Sequence, residues 1–362
     1  LTRRGKGVPL REEDPFRGHE DKPFDKDWGS GKGAGGGGLP RYQKVFGEGL
    51  VQLGELDDRV VAITAGMRDG TSTDLFEKAF PDRFFDVGIA EAHGVTFAAG
   101  LATEGIRPVV AIYSTFLQRG YDGIIHDVAL QELPVVFAMD RAGIAGADGP
   151  THHGTFDINY MLSVPNMTVT APKDGSEMLA LLRLGVEWEK GPFSIRWPRD
   201  SVPSRVPHIS EIPPVEYGTW EVLQNGRHAA ILAVGTMVLE AEKAAEILAR
   251  EGIEVSVVNC RFLKPLDQKV LKEVVAGHDR ILTVEEGAVV NGFGAFLARE
   301  LEGRDDTRGL RLQTLGIPDN FVPHGSRSDL LRQIDLDAQG IVARIKALLS
   351  TEVTTSSTSS TE

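Results

Sequence analysis

From Tyr42 onward, apolar runs of strand length alternate with longer amphipathic stretches, and this alternation constrains the fold more than any other feature. Parallel strands cannot be joined by a tight turn and need a crossover of about a dozen residues, usually a helix. The pattern therefore predicts mainly parallel sheets with helices on both faces. Strands are expected at 60–65, 108–113, 134–139, 167–171 and 193–197, with helices at 91–103, 116–130 and 175–188 among them. Pro203, Pro207, Pro213 and Pro214 then interrupt the pattern. Proline removes backbone donors, so this stretch reads as a linker rather than a sheet interior. Alternation resumes with strands expected at 229–234, 254–258, 280–284 and 311–315, and helices at 238–250, 268–276, 293–301 and 337–348. The expected architecture is α/β: two doubly wound, mainly parallel-sheet domains over 40–200 and 218–350, joined by a linker over 201–217.

The flanks read differently. Residues 1–39 are charged, rich in glycine and poor in large apolar side chains, and residues 351–362 are mostly Ser and Thr. Neither composition buries enough surface to offset ordering entropy, so a flexible connector and a disordered tail are expected. The net charge of −13 argues against a nucleic-acid partner, because such proteins concentrate positive charge. A phosphorylated substrate would then need locally placed arginines. The single cysteine, Cys260, cannot form an internal disulfide and reads as a buried core thiol. No apolar run approaches the roughly 18 residues of a membrane span, and the N-terminus carries no apolar signal region.

Ligands in open α/β sheets bind beyond the carboxyl ends of the strands. Four segments there carry chemistry. Asp86-Val-Gly-Ile-Ala-Glu-Ala-His93 runs from a short strand into a helix, with Glu91 in the first turn. Glu91 reads either as a first-turn acid favoured by the helix dipole or as a functional carboxylate. Ile112-Tyr-Ser-Thr-Phe-Leu-Gln-Arg119 repeats the strand-to-helix geometry; Tyr113 and Phe116 could be core aromatics and Arg119 a solvated charge. The third segment, from Met139 to Gly154, is a glycine-rich loop bearing Arg141, Asp148, His152 and His153, a composition typical of function. Its adjacent histidines point apart, and no spaced His or Cys completes a zinc set, so no metal is assigned to this chain. The fourth is Arg196-Trp-Pro-Arg199. Gly31-Lys-Gly-Ala-Gly-Gly36 matches a dinucleotide fingerprint only formally, since no strand precedes it, and Gly292-Phe-Gly294 reads as loop packing.

Together these segments resemble the transketolase-like thiamine-diphosphate enzymes. The stretch from Phe85 to Gly100 is similar to their glutamate-bearing helix. The segments from Tyr113 to Arg119, His126 to Gln131 and Gly146 to Gly154 are similar to the deoxyxylulose-phosphate synthases within that family. Arg261-Phe-Leu-Lys-Pro-Leu-Asp267 and Val284-Glu-Glu286 agree, and the resemblance extends from about residue 38 to 349. One departure is Ala92, where the family commonly has Gln. The resemblance implies condensation of pyruvate with D-glyceraldehyde 3-phosphate, with loss of carbon dioxide, to give a precursor of isoprenoids, thiamine and pyridoxal. It implies thiamine diphosphate and magnesium as cofactors, a homodimer, and a bacterial cytoplasm or a eukaryotic plastid. By the same resemblance Glu91 would hydrogen-bond the aminopyrimidine, Phe116 would stack on it and Ile89 would prop the cofactor in its bent shape. His152 would exchange a proton or hydrogen bond with the reacting oxygens, a role that suits imidazole. Asp148 would hold a substrate hydroxyl, Tyr113 and Arg119 would line the pocket, and Arg141 and Arg199 would grip the phosphate. His153, His126 and Asp127 could equally be structural.

In this family a second domain supplies a Gly-Asp-Gly motif that holds magnesium and the diphosphate. No Gly-Asp-Gly occurs in this sequence, while Thr2-Arg-Arg-Gly-Lys-Gly7 resembles the end of that domain. The chain also begins at Leu1 rather than methionine. The expectation is the second half of a longer enzyme, or one subunit of a split pair, inactive alone. Three other readings stay open: the β chain of a 2-oxoacid dehydrogenase, a transketolase, and a non-catalytic assembly module that kept the fold.

Overall fold

The computed structural model describes residues 38–350. The connector expected over 1–39 (Gly38 and Leu39 apart), the glycine run 31–36 and the tail 351–362 lie outside the described residues. The first half comprises α1 (Tyr42–Leu56), β1 (Val60–Thr64), α2 (Asp74–Ala79), β2 (Phe84–Asp86), α3 (Glu91–Thr103), β3 (Arg107–Tyr113), β4 (Val136–Asp140), α4 (Asp157–Ser163), β5 (Thr168–Thr170), α5 (Gly175–Glu187) and β6 (Phe193–Arg196). The second comprises β7 (Glu221–Gln224), β8 (Ala229–Ala233), α6 (Met237–Arg250), β9 (Val255–Asn259), β10 (Phe262–Lys264), α7 (Gln268–Gly277), β11 (Arg280–Ala288), α8 (Phe293–Leu301), β12 (Arg311–Ile317), α9 (Arg327–Gln333) and α10 (Ala338–Ser350).

These elements build a seven-stranded sheet, β10-β5-β6-β4-β3-β1-β2, and a five-stranded sheet, β12-β11-β8-β9-β7. Every pairing is parallel except β10 on β5 and β7 on β9. The central strands are continuous apolar runs because both faces are covered: β1, β3, β4, β8 and β9 are buried along their whole length. The fold class is thus α/β with two doubly wound, mainly parallel sheets, as the alternation implies.

Three departures from the sequence reading have local causes. The strand β10 belongs to the second half of the chain yet closes the edge of the first sheet, with Phe262 opposite Thr170 and Lys264 opposite Val169. Its three residues follow β9 almost directly, too short for periodicity to reveal. The helix expected over 116–130 is instead a broken helical path over 114–129, passing through α, 3₁₀ and π turns around Gly120 and Gly123. The proline-rich stretch is tied down. Arg183 donates to the carbonyls of Ile209 (3.1 Å) and Ile212 (3.0 Å), and the Ile209 N–H donates to Gln52 Oε1 at 2.8 Å.

One apolar core runs beneath both sheets and includes Phe193, Phe262, Leu271 and Phe293. Cys260 lies fully buried within it, as expected. Gly292 and Gly294 pack tightly at the start of α8, where the Phe293 and Gly294 N–H groups donate to Glu285 at 2.8 and 2.9 Å. Burial pushes the Glu285 carboxyl up to about 7 from an ordinary 4.5, although those two N–H donors pull the other way. The raised value means that the folded state holds this proton more tightly than the unfolded chain. The stability it contributes is complete below about pH 4.5 and is lost as the pH rises through about 7. Glu285→Gln cannot titrate. In thermal melts, the Tm of wild type relative to the variant should fall from pH 4.5 to 7 and then level off. A difference that stays flat across that range would contradict the assignment.

Candidate active site

The carboxyl ends of β2, β3, β4 and β6 carry the four segments singled out above. At the first, Asp86 Oδ1 accepts the N–H groups of Gly66 (2.7 Å) and Gly88 (2.9 Å), so one carboxylate organises the two turns beneath Ile89. Ile89 is 88% exposed, unusual for its type, whereas Glu91, two residues on in the first turn of α3, is 4% exposed. The following segment lies close against α3 because residue 120 has no side chain. A Cβ there would stand 2.7 Å from Val95 Cγ2. This approach brings Arg119 Nη1 to 3.2 Å from Glu91 Oε1, and Glu91 Oε2 accepts no hydrogen bond among the described residues.

Aromatic rings link this carboxylate to the glycine-rich loop. Arg119 sits over Phe116, 5.3 Å from its centroid. Phe116 stacks on Tyr113 (5.6 Å, 17° between planes) and meets His152 edge-on at 5.3 Å. Tyr113 is buried, which pushes its phenol well above the usual range. The Arg141 guanidinium lies 3.8 Å over the Tyr113 ring.

Arg141 itself adopts φ 57°, a left-handed conformation that costs a non-glycine residue on the order of 1–3 kcal/mol. Its N–H donates to Asp140 Oδ1 at 2.6 Å, and its Nη1 donates to Asp140 Oδ2 (3.1 Å) and to the Gly70 carbonyl (3.2 Å). Asp140 is wholly buried, and desolvation raises its carboxyl to about 6 despite Arg141. The loop closes on itself through reciprocal Gly143 and Gly154 backbone bonds of 2.7 and 2.8 Å. Within it Asp148 stands between two guanidiniums: Oδ1 is 2.7 Å from Arg199 Nη1, and Oδ2 is 3.6 Å from Arg141 Nε. The second distance is close enough for charge attraction but too long for a hydrogen bond, and Arg141 Nε stays buried without an acceptor. The Asp148 carboxylate shows that Arg141 and Arg199 can converge on one anion.

His152 Nδ1 lies 2.9 Å from Thr151 Oγ1, and its Nε2 has no partner among the described residues. His153 is buried. Its Nδ1 accepts the Ala145 N–H at 2.9 Å, and its Nε2 donates to the Pro323 carbonyl at 3.2 Å, so it braces the loop. His126 and Asp127 pair with each other at 2.9 Å on the surface, where Thr96 Oγ1 also donates to Asp127 at 2.6 Å. They stand apart from the cluster.

Glu91, Phe116, Tyr113, Arg119, Arg141, Asp148, His152 and Arg199 thus form one connected constellation, with Ile89 exposed at its edge. Sequence reasoning passed over Asp140 and assigned no role to Glu286, whose carboxylate touches the same loop. The doublet Glu285–Glu286 at the end of an apolar strand was the available signal. Among the described residues, no three His, Cys, Asp or Glu side chains are grouped to hold a metal, and no helix is long and apolar enough to cross a membrane.

Comparison with known proteins identifies the family. A family model described as the transketolase pyrimidine binding domain matches residues 40–205, and one described as the transketolase C-terminal domain matches 218–341. A 1-deoxy-D-xylulose-5-phosphate synthase from Magnetococcus marinus is 51% identical over 353 residues, covering 96% of this chain and 55% of that protein. The same-named protein of Aquifex aeolicus is 49% identical over 354 residues, covering 96% and 54%. The chain therefore spans about half the length of the curated relatives it matches. A solved structure titled split gene transketolase, inactive beta4 tetramer, superposes with a TM-score of 0.75 at 31% identity, covering 86% of this chain and 99% of that one. The chain belongs to the transketolase family and carries the pyrimidine-binding and C-terminal domains as they occur in 1-deoxy-D-xylulose-5-phosphate synthases.

Proposed function

We propose that this chain supplies the pyrimidine side of a thiamine-diphosphate enzyme that condenses pyruvate with D-glyceraldehyde 3-phosphate, releasing carbon dioxide and giving 1-deoxy-D-xylulose 5-phosphate. The observation that carries this reading is the continuous line from buried Glu91, through Phe116 and Tyr113, to an arginine pair already gripping a carboxylate.

The residues present suit the cofactor. A buried carboxylate with one oxygen unbonded among the described residues, linked through Arg119 to the half-buried ring of Phe116 and two residues from the exposed Ile89, offers one acceptor beside apolar side chains. An aminopyrimidine has that character. When bound, thiamine diphosphate supplies the nucleophilic carbon and the electron sink for decarboxylation. Glu91 would hold the aminopyrimidine by a hydrogen bond strengthened by burial. Arg119 keeps the Glu91 carboxylate oriented and forms the pocket's rim. His152 would present Nε2 to the reacting oxygens. The phosphate would sit between Arg141 and Arg199, where Asp148 now lies, freeing Asp148 to accept a substrate hydroxyl. On this reading the complete enzyme is a homodimer of the bacterial cytoplasm, or of a plastid in a eukaryote.

Magnesium and the diphosphate would be held by the other half, which carries the Gly-Asp-Gly motif. A split-gene transketolase half of similar span is described as inactive in its β4 form, which supports the same requirement here. Calorimetry of the isolated chain with thiamine diphosphate and magnesium should therefore show only weak binding. Tight binding, or product formed by the chain unaided, would contradict this. The function itself is tested by product analysis with pyruvate and D-glyceraldehyde 3-phosphate after the diphosphate-binding half is supplied. Absence of 1-deoxy-D-xylulose 5-phosphate would refute it.

A further inference from the structure

We propose that Arg327 and Glu286, both outside the reacting constellation, are positioning residues that set the spacing of the two phosphate-directed arginines. The inference rests on the functional reading above and deepens it. Arg141 and Arg199 lie on different segments, the loop after β4 and the turn after β6. The Ala142 N–H donates to the Trp197 carbonyl at 3.0 Å where the segments leave the sheet, and beyond that point their spacing depends on what holds each segment. Arg327, the first residue of α9, spans the two. Its Nε donates to Glu286 Oε1 at 3.1 Å and its Nη2 to Glu286 Oε2, a bidentate pair, while its Nη1 donates to Asp200 Oδ2 at 2.9 Å. Nη2 also reaches Thr236 Oγ1 at 3.3 Å.

Each carboxylate then acts on one arginine-bearing segment. Glu286, 3% exposed, accepts the Ile144 N–H at 2.8 Å, three residues beyond Arg141. The loop is pressed onto this carboxylate. A Cβ on Gly143, which adopts φ 74°, would stand 2.5 Å from the Glu286 carboxyl carbon. Asp200 follows Arg199 directly, and its carbonyl accepts the Tyr42 N–H at 3.0 Å. One planar guanidinium thus ties both segments through rigid, charge-assisted bonds, a task for which lysine lacks the fork. Among the described residues no hydrogen bond or ion pair joins Arg327 or Glu286 to Arg141 or Arg199, so their influence passes through backbone placement.

The test is the ratio of kcat/KM for D-glyceraldehyde 3-phosphate to kcat/KM for unphosphorylated D-glyceraldehyde, measured with pyruvate in the enzyme assembled with its diphosphate-binding half. In Arg327→Ala this ratio should fall about tenfold, the size expected when charge-assisted contacts to the phosphate slacken. In Arg327→Lys, which keeps charge without the fork, it should fall less. Should Arg327→Ala fail to fold, Arg327→Lys and Glu286→Gln decide the matter by the same ratio. Equal losses with both acceptors, or an unchanged ratio in every folded variant, would overturn the brace while leaving the function standing. A wild-type assembly that makes no product from the phosphorylated acceptor would instead refute the functional reading and the brace with it.

Discussion

Glu91→Gln is expected to lower turnover of the assembled enzyme by roughly 10²–10⁴-fold, the usual range for loss of a group that manages protons. The melting temperature should barely move. Glutamine has the shape of glutamate and can still accept from Arg119 Nη1, now 3.2 Å from Glu91 Oε1, so α3 keeps its packing. What disappears is the anion that favours the reactive form of the aminopyrimidine, an interaction that acts on turnover far more than on folding. The decisive measurement is exchange of the thiazolium C2 proton of bound cofactor in deuterated buffer. Exchange as fast in the variant as in wild type would remove Glu91 from its role.

Arg141→Ala and Arg199→Ala should each raise the KM for D-glyceraldehyde 3-phosphate by roughly 10- to 150-fold, corresponding to about 1.5–3 kcal/mol for one charge-assisted contact. The KM for pyruvate should change much less. Of the two, Arg199→Ala is the cleaner experiment. Arg141 also stacks on Tyr113 at 3.8 Å and occupies a left-handed backbone position, so its removal disturbs the aromatic ladder as well. Steady-state kinetics with each substrate varied in turn settles the question. A matched rise in both KM values would mean that these arginines do not form the phosphate clamp.

Much of this site was legible in the sequence, because strand ends leading into helices or glycine-rich loops are where an open α/β sheet places ligands. Glu91, Phe116 and Arg141 could each be read as ordinary structure when taken alone. Their order and spacing carry the family resemblance, and it is the resemblance that implies the roles proposed above. What stayed hidden was relational. Nothing in the polar stretch around Arg327 signals that its side chain will cross to Asp200, 127 positions earlier in the chain. Asp148 was read as a hydroxyl acceptor, yet its contacts here are with two guanidiniums, because a carboxylate between two cations is attracted by both. The short strands β7 and β10 were invisible for a different reason. Four and three residues are too few to establish a period of two, and their places are fixed by partners distant in sequence.

The guest strand Phe262–Lys264 has a consequence for how the molecule can be divided. A cut in the proline-rich stretch between the two family matches looks natural on sequence grounds, yet it would strip β5 of its outer neighbour. Thr168–Thr170 would then present a bare row of N–H and C=O groups, a template for pairing with any strand in reach. Phe262 would also be withdrawn from Phe193, 6.4 Å away across the shared core. A separately expressed first half should therefore self-associate.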